Sequence, residues 1–142
     1  MKRFNFSLQK VLDFREFKKK MAEAELGKAV AEETKIQNTL EMIAQEYASN
    51  VKNSDSTKDV AGMMSAQNYF RLLNQQKEQA LMNLAQAQVV TEEKREKMRE
   101  EMKNCKVLEN LRDRRKNDWK KENLKNEENE IDDIVTSKQN NP

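Results

Sequence analysis

Three features of this sequence predict an all-α fold: two long helices folded back on each other as an antiparallel coiled-coil hairpin. Helix breakers are nearly absent, since the 142 residues include two glycines and one proline, and that proline is the last residue, Pro142. Apolar residues recur at alternating four- and three-residue steps in two separate stretches, the pattern of a narrow seam rather than a broad core. A polar segment with turn composition divides the stretches. Charged residues make up 37% of the chain and hydrophobic ones 36%, a balance typical of long helices and coiled coils.

The first helix is expected over about residues 7–52, with Ser7 as its cap ahead of Leu8. A 4,3 series from Leu8 passes through Leu12, Arg15, Lys19, Ala22, Leu26, Ala29, Glu33, Ile36, Leu40, Ile43 and Tyr47, and only Arg15, Lys19 and Glu33 in it are not apolar. The turn is expected over about residues 53–64, where Asn53, Ser54, Asp55, Ser56, Thr57 and Asp59 can bond their own backbone and Gly62 follows. Ser65 would then cap a second helix over about residues 65–131. Its seam runs through Phe70, Leu73, Ala80, Leu84, Ala87, Met98, Cys105 and Leu108, interrupted by Lys77, Thr91, Lys94 and Glu101. A frayed tail is expected over about residues 132–142.

Each seam needs a partner, so the helices pair with each other, which favours a monomer when free. A hinge near residues 58–59 pairs positions whose numbers sum to about 117. Tyr47 then faces Phe70, Ile36 faces Leu81 and Leu12 faces Cys105. The second helix is the longer, so an overhang over about residues 110–133 has no partner in this register.

Charge is segregated. Residues 1–20 carry seven basic side chains (Lys2, Arg3, Lys10, Arg15, Lys18, Lys19, Lys20) against two acidic ones, a net of +5. Residues 111–125 carry seven basic against three acidic, a net of +4. The hairpin would put both at its open end, and Glu127, Glu128, Glu130, Asp132 and Asp133 make the following turns acidic.

No catalytic apparatus is legible. Histidine, the commonest general base and metal ligand, does not occur. No phosphate-binding loop, nucleophile elbow or CxxC pair occurs either, and no cofactor or metal is implied. Cys105 is the sole cysteine and falls in the seam, where it reads as a small apolar residue. Runs of apolar side chains, such as Ala29-Val30-Ala31, reach only three residues, so the chain is expected to be soluble and cytoplasmic. The basic segments could be a solvated face, a surface for an acidic protein, or a nucleic-acid site. The last is disfavoured because Trp119 is the only aromatic of the second segment. Tyr69 is left over when Tyr47 and Phe70 close the seam, and it reads equally well as a structural or a docking residue.

The opening Met1-Lys2-Arg3-Phe4-Asn5-Phe6-Ser7-Leu8-Gln9-Lys10-Val11-Leu12-Asp13-Phe14-Arg15-Glu16 resembles the start of the flagellar export protein FliJ family, whose members often begin F-x-F-x-L-x-x-V-L-x-x-R. Glu46-Tyr47, Asn68-Tyr69 with Leu72 and Leu73, and Leu108-Glu109 through Leu111, Arg114 and Trp119 are similar to later segments of that family. The resemblance implies a hairpin like the gamma-subunit coiled coil of rotary ATPases, serving flagellum assembly and so motility and chemotaxis. It implies a non-enzymatic stalk that engages the export ATPase hexamer and the cytoplasmic domain of the export-gate membrane protein and assists export chaperones. That role would be peripheral to the inner membrane at the flagellar base. The gate-binding surface would fall on Ile36, Leu40, Ile43, Tyr47, Tyr69, Leu72, Gln76 and Gln79, of which the two glutamines depart from the apolar residues expected there. The seam claims Ile36, Leu40, Ile43 and Tyr47 as well, and burial decides between the two uses. Contact with the ATPase ring would fall on Arg15, Lys18, Lys19, Arg112, Arg114, Arg115, Lys116 and Trp119. The alternatives are a hairpin chaperone for export substrates and a plain structural spacer.

Overall fold

The computed structural model describes residues 3–140; Lys2, counted among the basic residues above, and the last two residues of the expected tail lie outside them. Helix α1 spans Gln9–Asp55 and helix α2 spans Val60–Asn140, with no strand among the described residues. The chain is an all-α helical hairpin. It divides into two compact units, one of Met21–Arg99 and the other of Met1–Lys20 with Glu100–Pro142.

In the unit containing the turn, the link is shorter than the polar composition implies. Helix α1 continues through Asn53, Ser54 and Asp55, and only residues 56–59 lie between the helices. The polar side chains satisfy the end of α1 from within: Ser56 and Thr57 hydroxyls both donate to the Asn53 carbonyl, at 2.8 and 3.1 Å. Both fall on one carbonyl of the last turn, which also accepts from the Ser56 amide at 3.3 Å, while the Ser54 carbonyl accepts from the Thr57 amide at 3.2 Å. The cap of α2 is Asp59 rather than Ser65. The Gly62 amide donates to Asp59 Oδ1 at 3.1 Å, and the Met63 amide donates to the Asp59 carbonyl at 3.1 Å. An aspartate cap starts the helix five residues early and leaves Ser65 inside it.

The expected seam of α1 is met position by position. From Leu8 to Ile43 each member of the 4,3 series is buried or half-buried, the charged Arg15, Lys19 and Glu33 included; Tyr47 alone is more open, at 41%. On α2 the buried set includes Leu73, Ala80, Thr91, Glu101 and Cys105. Thr91 tolerates burial because its hydroxyl donates to the Ala87 carbonyl at 2.9 Å. Leu81, expected opposite Ile36, is 46% exposed, and Ala80 takes the buried place. Two helices packed through alanine can approach closely, which leaves a leucine at the next position on the flank.

In the other unit the chain before α1 is not helical and packs onto α2. Phe6 is 5% exposed, Leu12 0% and Cys105 1%; they form one cluster, flanked by Phe4, Leu8, Leu108 and Leu111. Ser7 is not a helix cap here. Its hydroxyl accepts a hydrogen bond from Arg115 at 3.0 Å, and the start of α1 is bonded instead by Gln9 to the Phe6 carbonyl and Leu12 to the Leu8 carbonyl. The expected overhang from about residue 110 therefore starts later. Non-helical chain advances at up to ~3.3 Å per residue against 1.5 Å in a helix, so the few residues before α1 reach about twice as far along α2. Phe4 thus meets Trp119, with ring centroids 5.9 Å apart. The tail expected to fray from residue 132 is helical to Asn140.

Candidate functional site

Two surfaces stand out, one in each unit. In the turn-containing unit the seam is interrupted at Lys77, whose side chain is exposed. Lysine at a seam position extends to water rather than filling the space between helices. The result is an open apolar groove of about 560 Å³ lined by Leu40, Ile43, Ala44, Tyr47, Leu73, Asn74, Lys77 and Leu81. Its floor is the seam itself, where Ile43 (9% exposed) packs with Leu73 (3%), Ala80 and Leu40. Tyr47 closes one end by stacking on Phe70, with centroids 4.7 Å apart and rings tilted by 52°.

Burial divides the residues assigned to gate binding. Ile36, Leu40 and Ile43 belong to the seam, although Leu40 and Ile43 also face the groove. Tyr47 serves both purposes, half-covered by Phe70 and partly open. Tyr69, Leu72, Gln76 and Gln79 are exposed. Tyr69 is held in place by its hydroxyl, which donates to Glu46 Oε2 at 3.0 Å. That hydrogen bond, then desolvation and the Glu46 charge, raises the phenol above its ordinary pKa of 10.0. Gln79 donates to Asn83 at 3.1 Å along α2 and takes no part in the groove. Sequence reasoning missed Ala44, Asn74, Lys77 and Leu81 as lining. The signal was present: Lys77 interrupts the apolar series between Leu73 and Ala80, and a seam with a missing side chain leaves a hollow.

The second surface is basic and aromatic. Residues up to Lys20 and those from Glu100 onward form one unit, so both basic segments lie within it. Arg115 sits over the Phe6 ring at 5.7 Å while donating to Ser7, which fixes its guanidinium. Arg112 lies 3.8 Å from Asp113, and a shallow hollow of about 330 Å³ is lined by Phe4, Asn5, Phe6, Gln9, Arg112, Asp113 and Lys116. Of the assigned ring-binding residues, Lys18, Arg114, Arg115 and Lys116 are exposed. Arg15, Lys19, Arg112 and Trp119 are half-buried, Trp119 against Phe4. The N-terminal aromatics that organise this surface were missed as site residues, because a non-helical segment running along α2 leaves no periodic signal.

Beneath it, Cys105 donates to Glu109 Oε1 at 3.5 Å, and ligand atoms of Glu16, Cys105 and Glu109 lie within 4.8 Å of one another. Burial raises the thiol pKa above 9.0; the hydrogen bond and charge of Glu109 add to this, and Lys19 opposes it. A thiol held protonated is a poor nucleophile and a poor metal ligand. No helix among the described residues is long and apolar enough to cross a membrane.

Residues 4–141 match the family model described as Flagellar FliJ protein. No curated protein and no solved structure matches the chain.

Proposed function

This chain belongs to the FliJ family, components of the flagellar export apparatus, and from that premise we propose that it is a non-enzymatic stalk and adaptor coupling the export ATPase hexamer to the membrane export gate. The observation that carries the reading is the groove at Lys77, an open apolar hollow between the two helices. A plain spacer has no need of such a hollow, nor of the exposed Tyr69 and Leu72, which lie on α2 outside its lining. The groove and these two side chains receive the cytoplasmic domain of the gate protein, and the aromatics supply most of the affinity. The basic surface of Arg112, Arg114, Arg115 and Lys116 engages an acidic lining of the ATPase ring, with Trp119 beside it and Lys18 about 20 Å further along the helix pair. Export chaperones are handed on from the same hairpin at the cytoplasmic face of the flagellar base.

The test uses purified partners. Tyr69→Ala with Leu72→Ala weakens binding to the gate domain by about tenfold or more while the helix content stays unchanged. Reversal of Arg112, Arg114, Arg115 and Lys116 to Glu abolishes stimulation of the ATPase and leaves gate binding intact, and wild-type stimulation falls with rising salt. A hairpin chaperone would instead bind unfolded chains broadly and respond to neither set of substitutions. Unchanged gate affinity in the first variant and full stimulation by the second would remove the stalk reading.

A further inference from the structure

The seam series of α2 contains two lysines, Lys77 and Lys94, and they are placed differently. Lys94 reaches across to α1, where its Nζ lies 3.7 Å from Glu25 Oε2. Lys77 has no carboxylate within ion-pair distance: the cations paired among the described residues are Lys28, Lys94, Arg95, Arg99 and Arg112. The α1 side chains that line the groove with it are Leu40, Ile43, Ala44 and Tyr47, none of them anionic. Glu41 and Glu78 adjoin Leu40 and Lys77 in sequence, yet both are exposed and neither lines the groove. A single cation therefore stands in an otherwise uncharged lining.

That cation restricts what can cover the groove. A wholly apolar surface laid over it would strip water from the ammonium without replacing it, which costs free energy. A carboxylate on the occupant removes this cost and adds a charge-assisted hydrogen bond where the local dielectric is low. Backbone satisfaction decides the occupant's form. Both walls are helices, whose backbone groups bond within each helix. Tyr47, Asn74 and Lys77 are the only side chains of the lining with hydrogen-bonding groups. An extended segment would leave most of its N–H and C=O groups without partners here, whereas a helix satisfies its own.

We propose that the groove takes an amphipathic helix carrying an aspartate or glutamate on its apolar face, and that Lys77 selects this helix by pairing with that carboxylate. The helix comes from the cytoplasmic domain of the gate protein, a source that rests on the reading of this groove as the gate contact. Its apolar side chains cover Ile43 and Leu73, the floor of the groove, as in other helix-in-groove contacts. The carboxylate lies at Lys77, with the Asn74 amide as a second donor on the same wall. Lys77 also rejects helices whose apolar face carries a basic residue or no charge at all, so one hollow discriminates among partners.

The experiment is titration calorimetry of the purified gate domain with the full chain, at low and physiological salt. Lys77 is exposed, so its replacement leaves the helix content unchanged, which circular dichroism checks. Lys77→Met keeps the alkyl stem, removes the charge and weakens binding by about tenfold or more. Lys77→Glu weakens it further, Lys77→Arg retains most of the affinity, and the salt dependence of binding is smaller in Lys77→Met than in the wild type. A photo-crosslinking residue in place of Leu81, which lines the groove and is 46% exposed, captures the gate segment that occupies it. That segment is expected to be a helix with an acidic residue on its apolar face. Changing this acid to lysine weakens binding to the wild type and restores binding to Lys77→Glu. Unchanged affinity in Lys77→Met and Lys77→Glu, with affinity lost in the Tyr69→Ala, Leu72→Ala chain, overturns the proposal and leaves the gate contact standing. A cross-link to an extended segment, or to a second copy of this chain, overturns it as well. A gate domain that does not bind the wild-type chain removes the gate reading itself, and this occupant with it.

Discussion

Leu72 and Leu73 are adjacent in α2, yet only Leu73 is buried, and truncating each to alanine separates the seam from the proposed docking surface. Leu73 is 3% exposed and packs with Ile43, Ala80 and Leu40; Leu72 is 46% exposed and has no place in that cluster. Leucine-to-alanine changes at buried positions cost about 2–5 kcal/mol, of which part is the cavity left behind. At Leu73 the neighbouring groove is already open, so little new cavity forms and the cost belongs at the lower end, about 2–3 kcal/mol. Leu72 loses side-chain surface that water already wets, so its cost is within about 0.5 kcal/mol. The assay is urea unfolding followed by far-ultraviolet circular dichroism, with gate-domain affinity measured on the same preparations below the unfolding transition. Leu73→Ala lowers the midpoint and leaves the affinity of the folded fraction nearly intact, whereas Leu72→Ala does the reverse. Equal stability losses would refute the assignment of the 4,3 series to the seam. A loss of affinity from Leu73→Ala alone would mean that the partner opens the hairpin rather than resting on it.

The remaining predictions concern the two glycines and the thiol. A methyl group at Gly27 meets nothing within 4 Å, so Gly27→Ala stabilises by about 1 kcal/mol through helix propensity. At Gly62 the methyl would collide with Thr57 and with the Asp59 oxygen that caps α2, so Gly62→Ala lowers the unfolding midpoint instead. The Cys105 pKa is raised above 9.0, so the folded state holds its proton where the unfolded chain has begun to lose it. That contribution to stability is complete below pH 9 and declines as pH rises from there through the folded-state value. Urea midpoints measured across that range should fall less for Cys105→Ala than for the wild type. Thiol-reactive probes at pH 8 should label the unfolded chain much faster than the folded one.

The sequence alone determined what depends on local chemistry and period. The near absence of breakers and the 4,3 series specify two helices and the face each buries, because a side chain's face follows from its position in the helical repeat. The same series therefore placed Tyr47 on Phe70 and Leu12 with Cys105. What depends on distance in space needed the tertiary structure. The turn is four residues long because Asp59 reaches Gly62 and because Ser56 and Thr57 finish α1, a competition among several capable caps that composition cannot decide. Phe4 reaches Trp119 because non-helical chain covers more length per residue than helix, which no periodic pattern encodes. The groove at Lys77 follows the same division. Its interruption of the series is legible in the sequence, but whether a missing seam side chain is filled by a neighbour or left open is a matter of packing, and here Leu81 and Tyr47 line the hollow without filling it.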